Sequence, residues 1–468
     1  MKEIIYLDHA AATPISKGVL AAMQPYFSER FFNPSSPYLP AVGVRQDYER
    51  AKDDIAQAIG AKGSELIITA GATESINLAF QIIPQCCHDI VFSAPSAWSK
   101  RSDPRSIPMP KGGDPTSWSA PLASSALKMK QKKDVVRTDC CTITPKALTR
   151  SPSFTSRAEI DQLAIQQPAV VLTSAIEHPA VLEAAKRCGN YDTVAVNGRG
   201  LVDLDDLKAK LTDSIVLISV QLVNNELGTI QPISDIAHLV KNERANRLKA
   251  GNTTPLYLHC DASQGFGLLD VNVARLGVDM LTLNSGKVYG PKQVGALYVG
   301  RQVKLDPLIV GGGQEQGMRA GTQNVAGVVG FAKAVKDAKK HVLGEQKRLG
   351  ELKTALKHDL AANISFVEFL GDPKKQLNSF VPITLPGLDA ERLIFILEES
   401  GVLVATGSAC AASKGTKSHV LKAIGLTDKQ IDGSLRLTMG KLNTPANTKK
   451  AAELIIQAVN TECERLGL

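Results

Sequence analysis

Short apolar runs alternate with stretches of helical periodicity over most of this chain, and that alternation restricts the fold more than any other feature. Residues 65–69 form a strand-sized run, followed by Ala70-Gly71-Ala72-Thr73-Glu74 and a helical stretch over 75–83. Residues 170–173, 193–196, 215–222, 256–260, 280–283 and 295–299 read as further strands, with helical patterns over 179–188, 204–211 and 233–248. Strands that alternate with helices predict an α/β fold, a mostly parallel sheet covered on both faces. At 468 residues the chain exceeds the size at which one core keeps growing, so a second packed unit is expected. The pattern changes near Asn324: a long charged helix over 325–361, strands over 365–370 and 379–385, a helix over 389–400, a Gly- and Ala-rich loop at Cys410 and a last helix over 447–466. This predicts a smaller α+β domain, with a ligand site in the cleft at the carboxyl ends of the large domain's strands.

Residues 91–158 are foreign to this pattern. They hold both tryptophans, eight prolines and no sustained period. They also hold 12 Lys/Arg against 4 Asp/Glu, which leaves 42 of each sign elsewhere, so the net charge of +8 belongs to this one segment. The composition is that of a basic disordered insertion or of a stretch foreign to the gene product, such as translated intron-like sequence. A nucleic-acid partner rests on this segment only and is not expected. No apolar run is long enough for a membrane span, and charge interrupts the N-terminus at Lys2 and Glu3. A cytoplasmic location follows as the default expectation. Eight cysteines without CxxC spacing signal neither a zinc site nor a disulfide framework. Cys410, among Gly407, Ser408 and Ala409, is the cysteine whose surroundings suit reactivity.

Three segments could carry chemistry. Lys287, in Asn284-Ser285-Gly286-Lys287-Val288-Tyr289-Gly290, follows an apolar run, so it can be held in a crevice, lose its proton and condense with an aldehyde. The isolated Ser-Gly-Lys tripeptide reads more readily as a solvated lysine in a Gly-rich turn, so the rest of the chain has to be weighed with it. Gly71-Ala72-Thr73 opens a helix after a strand, where backbone N–H groups and a hydroxyl can bind phosphate; the same tripeptide is also a common helix start. Asp261 ends the strand Tyr257-Leu258-His259-Cys260, where a buried carboxylate needs a cation or a strong donor, or else serves as a helix cap.

Taken in order, Tyr6-Leu7-Asp8-His9-Ala10-Ala11-Ala12-Thr13-Pro14, Asn33-Pro34-Ser35-Ser36, Gly71-Ala72-Thr73-Glu74-Ser75, Glu177-His178-Pro179, Asn224-Asn225-Glu226, Asp261-Ala262-Ser263-Gln264, the Lys287 run and Arg319-Ala320-Gly321-Thr322 closely resemble the cysteine desulfurases. These are fold-type I pyridoxal-phosphate enzymes related to the class V aminotransferases. The resemblance covers the chain except residues 91–158. It implies a seven-stranded large domain over 21–323, a small domain over 324–468 carrying the Cys410 loop, and residues 1–20 packed with that small domain. It also implies a homodimer that takes sulfur from L-cysteine, leaves L-alanine and passes sulfur to an acceptor protein such as an iron-sulfur scaffold. Under it Lys287 is the Schiff-base lysine and His178 the residue stacked on the cofactor ring. Asp261 holds the pyridine nitrogen, while Asn225 and Gln264 bond around the phenolic oxygen. Ala72, Thr73 and Asn284 lie at the phosphate, Thr322 reaches the phosphate in the neighbouring subunit, and Asn33 joins the substrate site. Cys410 receives the sulfur and is also a candidate transient ligand of an iron-sulfur cluster; no other metal is implied.

Two positions depart from the family. Its Ser-Gly-His-Lys is replaced by Asn284-Ser285-Gly286-Lys287, so Gly286 lacks a phosphate donor; losing one charge-assisted contact costs about 1.5–3 kcal/mol, and weaker cofactor retention is expected. Its carboxylate-binding arginine is replaced by Lys441, which brings charge without a bidentate fork. Arg436 is nearby, but strand alternation argues that it faces differently. A selenocysteine lyase, another carbon-sulfur lyase and a cofactor-poor scaffold are the competing readings.

Overall fold

The computed structural model describes residues 4–82, 169–407 and 417–468. Segment 91–158 and Cys410 therefore lie outside the described residues. The strands, in chain order, are β1 (Ile5–Tyr6), β2 (Leu66–Thr69), β3 (Val170–Ser174), β4 (Tyr191–Val194), β5 (Ile215–Ser219), β6 (Tyr257–Asp261), β7 (Met280–Asn284), β8 (Gly295–Val299), β9 (Glu368–Phe369), β10 (Phe380–Thr384), β11 (Val402–Leu403), β12 (Ala405–Thr406) and β13 (Ser434–Thr438).

Seven of them form one sheet in the order β2-β8-β7-β6-β5-β3-β4, parallel except for β8, which runs antiparallel to both its neighbours. Both faces are apolar, as a doubly covered sheet requires. Leu66, Ile68, Leu172, Ile218, Leu281 and Leu283 face one core, shared with the helices Leu39–Ala58 and Ile233–Lys249. Ile67, Val171, Leu217, Met280 and Leu297 face the other, under the helices Ala72–Ala79 and Pro179–Arg187. The expected fold class is thus found: a mostly parallel sheet between helices.

A second sheet, β12-β13-β10-β9, is antiparallel and has its own core. Val381, Ile383, Leu435 and Leu437 pack there against the helices Ala390–Glu399 and Pro445–Leu466. The N-terminal strand joins it through β1, which pairs in parallel with β11, Ile5 opposite Val402. The helix Val325–Asn363 belongs to both cores: Val325 to Val335 pack in the first, Leu349 to Leu360 in the second. The boundary expected at 324 thus meets a helix whose first three turns remain in the first core.

Element ends differ from the sequence expectations by a few residues. The run over 215–222 pairs only through Ser219, although Val220 and Leu222 stay buried. The stretch 365–370 contributes two strand residues. The helix Leu39–Ala58, with 20 residues, has no counterpart among the sequence expectations. No described helix is long and apolar enough to cross a membrane.

Candidate active site

The carboxyl ends of the parallel strands converge on a cavity of about 620 Å³. Asp261 is the last residue of β6, Asn284 the last of β7, and Lys287 sits in the tight turn Ser285–Lys287 that follows. His178 follows β3 as the cap of the helix Pro179–Arg187. Lys287, His178, Asp261, Asn225, Gln264, Asn284, Ala72 and Thr73 all line this cavity, so the structure brings together eight residues that are scattered along the sequence.

The local chemistry of each follows from its neighbours. Lys287 Nζ donates to the carbonyls of Ala10 and Ala11 at 2.6 and 2.7 Å, which ties it to the N-terminal segment. His178 Nδ1 accepts from the Ala180 N–H at 3.1 Å, so in the neutral ring the proton is on Nε2. Burial lowers its pKa; the Asp261 charge opposes this and the Lys287 charge adds to it. Asp261 is 5 % exposed, and its Oδ1 accepts from Ser263 N at 2.9 Å. Gln264 Nε2 donates to Ala10 O at 2.9 Å, and Asn284 Oδ1 caps the lysine turn by accepting from Gly286 N at 3.0 Å.

The helix Ala72–Ala79 starts after Gly71, whose φ of 132° only glycine adopts with ease, and no side chain caps its first turn. Uncapped N–H groups at the positive helix end attract an anion. A second opening of the site joins Thr73, Asn284, Gly286 and Lys287 with Lys292. A β-carbon at Gly286 would lie 3.5 Å from Asn284 Oδ1 and 3.7 Å from Lys292 Cγ, ordinary contacts. The missing side chain at 286 is therefore not imposed by crowding. Sequence reasoning passed over Lys292 because it sits five residues beyond the reactive lysine, in a turn whose return to the helix start is a tertiary feature.

The remaining expected residues differ in where they lie. Arg436 lines the main cavity beside Lys287, contrary to the alternation argument. All five residues of β13 are buried, so alternation there does not separate a solvent face from a core face. Arg436 Nη2 donates to Asp8 Oδ1 at 2.6 Å and Nη1 to Asn225 O at 3.1 Å. Lys441 is exposed; its ammonium lies 4.4 Å from the centre of the Tyr289 ring, on a smaller neighbouring cavity that also touches Lys287. Asn33 is exposed, accepts from Ser35 N at 3.0 Å and is not among the residues lining the cavities at Lys287. Thr322 is exposed on a separate hollow with Tyr48, Glu315 and Arg319.

Two buried carboxyls lie next to the site. Glu177 is fully buried and its pKa is pushed up to about 8 by desolvation, against the pull of hydrogen bonds from Ser174 Oγ and Gln221 N. Glu226, which lines the main cavity, is pushed up to about 7 by burial, opposed by the Ser418 hydroxyl and the Arg436 charge. His419, on the same cavity, donates from Nε2 to the Glu177 carbonyl at 2.9 Å, so its Nε2 carries the hydrogen. Neither Glu177, Glu226 nor His419 was singled out for a role from sequence. Among the described residues no group of three or more His, Cys, Asp or Glu is placed to hold a metal ion.

A family model, aminotransferase class-V, matches residues 5–100 and 154–450. The chain is 33 % identical to "Cysteine desulfurase IscS" of Dictyoglomus turgidum over 98 % of this chain and 96 % of that protein. It is 31 % identical to "Cysteine desulfurase IscS 1" of Archaeoglobus fulgidus over 96 % and 95 %. Among solved structures, a NifS-like protein superposes with a TM-score of 0.73 at 25 % identity, covering 98 % of this chain and 100 % of that one. SspA in complex with cysteine superposes at 0.65 with 26 % identity, covering 94 % and 99 %. With its strand ends gathered on Lys287 and these matches running nearly end to end, the chain belongs to the cysteine desulfurase family of class-V aminotransferase enzymes.

Proposed function

We propose that this chain is a pyridoxal-phosphate-dependent cysteine desulfurase that takes sulfur from L-cysteine, releases L-alanine and carries the sulfur as a persulfide on Cys410. The observation that carries the proposal is the convergence of Lys287, His178, Asp261 and the uncapped helix start at Ala72 and Thr73 on one cavity. That donor set fits the cofactor. An amine stands where its aldehyde is needed, a buried carboxylate suits its ring nitrogen, and free N–H groups at a helix end suit its phosphate. When bound, pyridoxal phosphate supplies an electron sink conjugated to the substrate's Cα.

The chain's own residues do the rest. Asp261 holds a proton on the ring nitrogen. Lys287, as the free amine, takes the Cα proton. His178 presents Nε2–H over the cavity. Asn225 and Gln264 orient the ring oxygen, and Asn284 and Lys292 stand at the phosphate position beside Thr73. The substrate carboxylate is received by Arg436 or Lys441, cations that each share a cavity with Lys287. The Cys410 thiolate attacks the substrate sulfur; the S–S bond forms as the Cβ–S bond breaks, and the electron pair left on Cβ takes a proton to give the methyl group of alanine. L-cysteine as substrate is supported by the solved SspA complex with cysteine.

A homodimer is supported by Thr322, a phosphate ligand by resemblance, which stands exposed away from its own chain's lysine. A protein acceptor such as an iron-sulfur scaffold follows from the need to unload Cys410. A cytoplasmic site of action is supported by Cys188, Cys260 and Cys463, which are free thiols.

One preparation tests the central reading. A cofactor absorption band should vanish in Lys287→Ala, and cysteine-dependent alanine release should vanish in Cys410→Ser. Alanine release that survives in Cys410→Ser makes the chain a lyase, and selenocysteine then becomes the substrate to try. No band after added cofactor leaves a scaffold.

A further inference from the structure

A second cavity, about 80 Å³ in volume, lies behind Lys287 and is bounded by His9, the turn at Ser263 to Leu268, and residues 379–380 and 438–441. Three buried polar atoms belong to residues on its wall: His9 Nε2, Ser263 Oγ and Ser379 Oγ. None has a hydrogen-bond partner among the described residues. His9 is 6 % exposed and Ser379 4 %, so bulk water does not serve them. A buried polar group without a partner is costly, and three from separate parts of the chain at one cavity point to a shared ligand.

The tautomer of His9 defines what that ligand meets. Its Nδ1 lies 3.1 Å from the Thr438 carbonyl, which can only accept, so Nδ1 carries the hydrogen. Burial lowers the pKa of the ring; the charges of Asp8 and Glu345 oppose this, and Arg348 adds to it. In the neutral ring Nε2 is therefore an unprotonated acceptor without a partner among the described residues, on a residue that lines the cavity. Gly440 permits this arrangement, because a β-carbon there would come within 2.3 Å of His9 Cδ2 and 2.2 Å of the Tyr289 hydroxyl. His178 has the opposite tautomer, with Nδ1 as the acceptor, and lines the main cavity only. Lys287 thus lines both the cavity of a histidine with Nε2–H and the cavity of a histidine with an unprotonated Nε2.

We propose that ordered water fills this rear cavity and links the Lys287 amine to His9 Nε2 as a proton-exchange path, an inference that rests on the proposed function. A buried water needs about 10–15 Å³ of such space, so a small cluster fits, and the Ser263 and Ser379 hydroxyls complete its bonds. A proton that leaves the Lys287 ammonium goes to a cavity water as that water gives one of its own to His9 Nε2. The result is a neutral amine and an imidazolium; the reverse passage restores both. No other species is consumed.

A high-resolution crystal structure of the holoenzyme should show water within hydrogen-bond distance of all three atoms. In His9→Leu, kcat should fall about 10- to 100-fold with KM within about twofold. With Cα-deuterated cysteine, more of the label should remain in the alanine, because Lys287 then exchanges its proton more slowly. His9→Gln, which keeps an acceptor, should recover part of both effects, and a purely structural role for His9 would leave label retention unmoved. A dry cavity, or unchanged kcat and label retention in His9→Leu, overturns the proposal. A wild-type chain that releases no alanine sinks the desulfurase reading instead, and the electron density still decides whether the cavity is hydrated.

Discussion

Gly286 shows how much one missing side chain can matter beside a reactive lysine. Its place in the lysine turn leaves room for a β-carbon at ordinary contact distance, with Lys292 close by. Gly286→His should therefore tighten cofactor retention, and Lys292→Ala should loosen it, each by roughly tenfold in equilibrium dialysis, the scale of one charge-assisted contact. Glu177 makes a different prediction. Its folded pKa of about 8 lies above the unfolded value of 4.5, so its contribution to stability is fully present below pH 4.5 and is lost as pH rises through 8. Glutamine at 177 keeps the oxygen that accepts from Ser174 and Gln221 without the charge. Glu177→Gln should raise Tm by about 2–5 °C at pH 8 and by almost nothing at pH 5 in calorimetry. The local run of Lys287 did not by itself separate a reactive lysine from a solvated one, and the role expected of it came from the ordered set of loops; the burial that perturbs Glu177 was not legible at all, since it comes from chain segments distant in sequence.

At the scale of elements, the helix Leu39–Ala58 explains a gap in what local pattern can tell. Its buried positions include Ala41, Val44, Tyr48, Ala51, Lys52 and Ile55, a helical spacing in which small, hydroxylated and charged residues stand where an apolar stripe is looked for. Lys52 is 4 % exposed because its ammonium bonds Glu315 at 2.8 Å, and Glu315 also accepts from Tyr48 and from Ile68 N of β2. This cluster joins the helix, the edge strand and the loop that leads to Thr322. Lys52→Met should cost about 3–5 kcal/mol in urea unfolding, because it leaves the Glu315 carboxylate buried without its cation. Strand β13 gives the complementary case: its five residues are all buried, so the facing of Arg436 is decided by what packs on either side and not by alternation.

For the whole molecule, the family match breaks between residues 100 and 154, and all seven strands of the large sheet lie outside that interval. A chain lacking 101–153 should keep its fold and its alanine release, with Tm within a few degrees of the full chain; loss of soluble protein would show that the segment has a structural part. The sequence by itself determined the alternation of strand and helix, the apolar runs on both faces of the sheet, and the order of loops that carry Gly71, His178, Asp261 and Lys287. Those features rest on periodicity and turn chemistry, which act over a few residues. Only the tertiary structure decided that Arg436 reaches the main cavity, that Lys292 stands near Gly286 and Thr73, and that His9, Ser263 and Ser379 meet behind the lysine. Such meetings join positions hundreds of residues apart, and no local period encodes which buried polar groups will share a cavity once the two cores have packed.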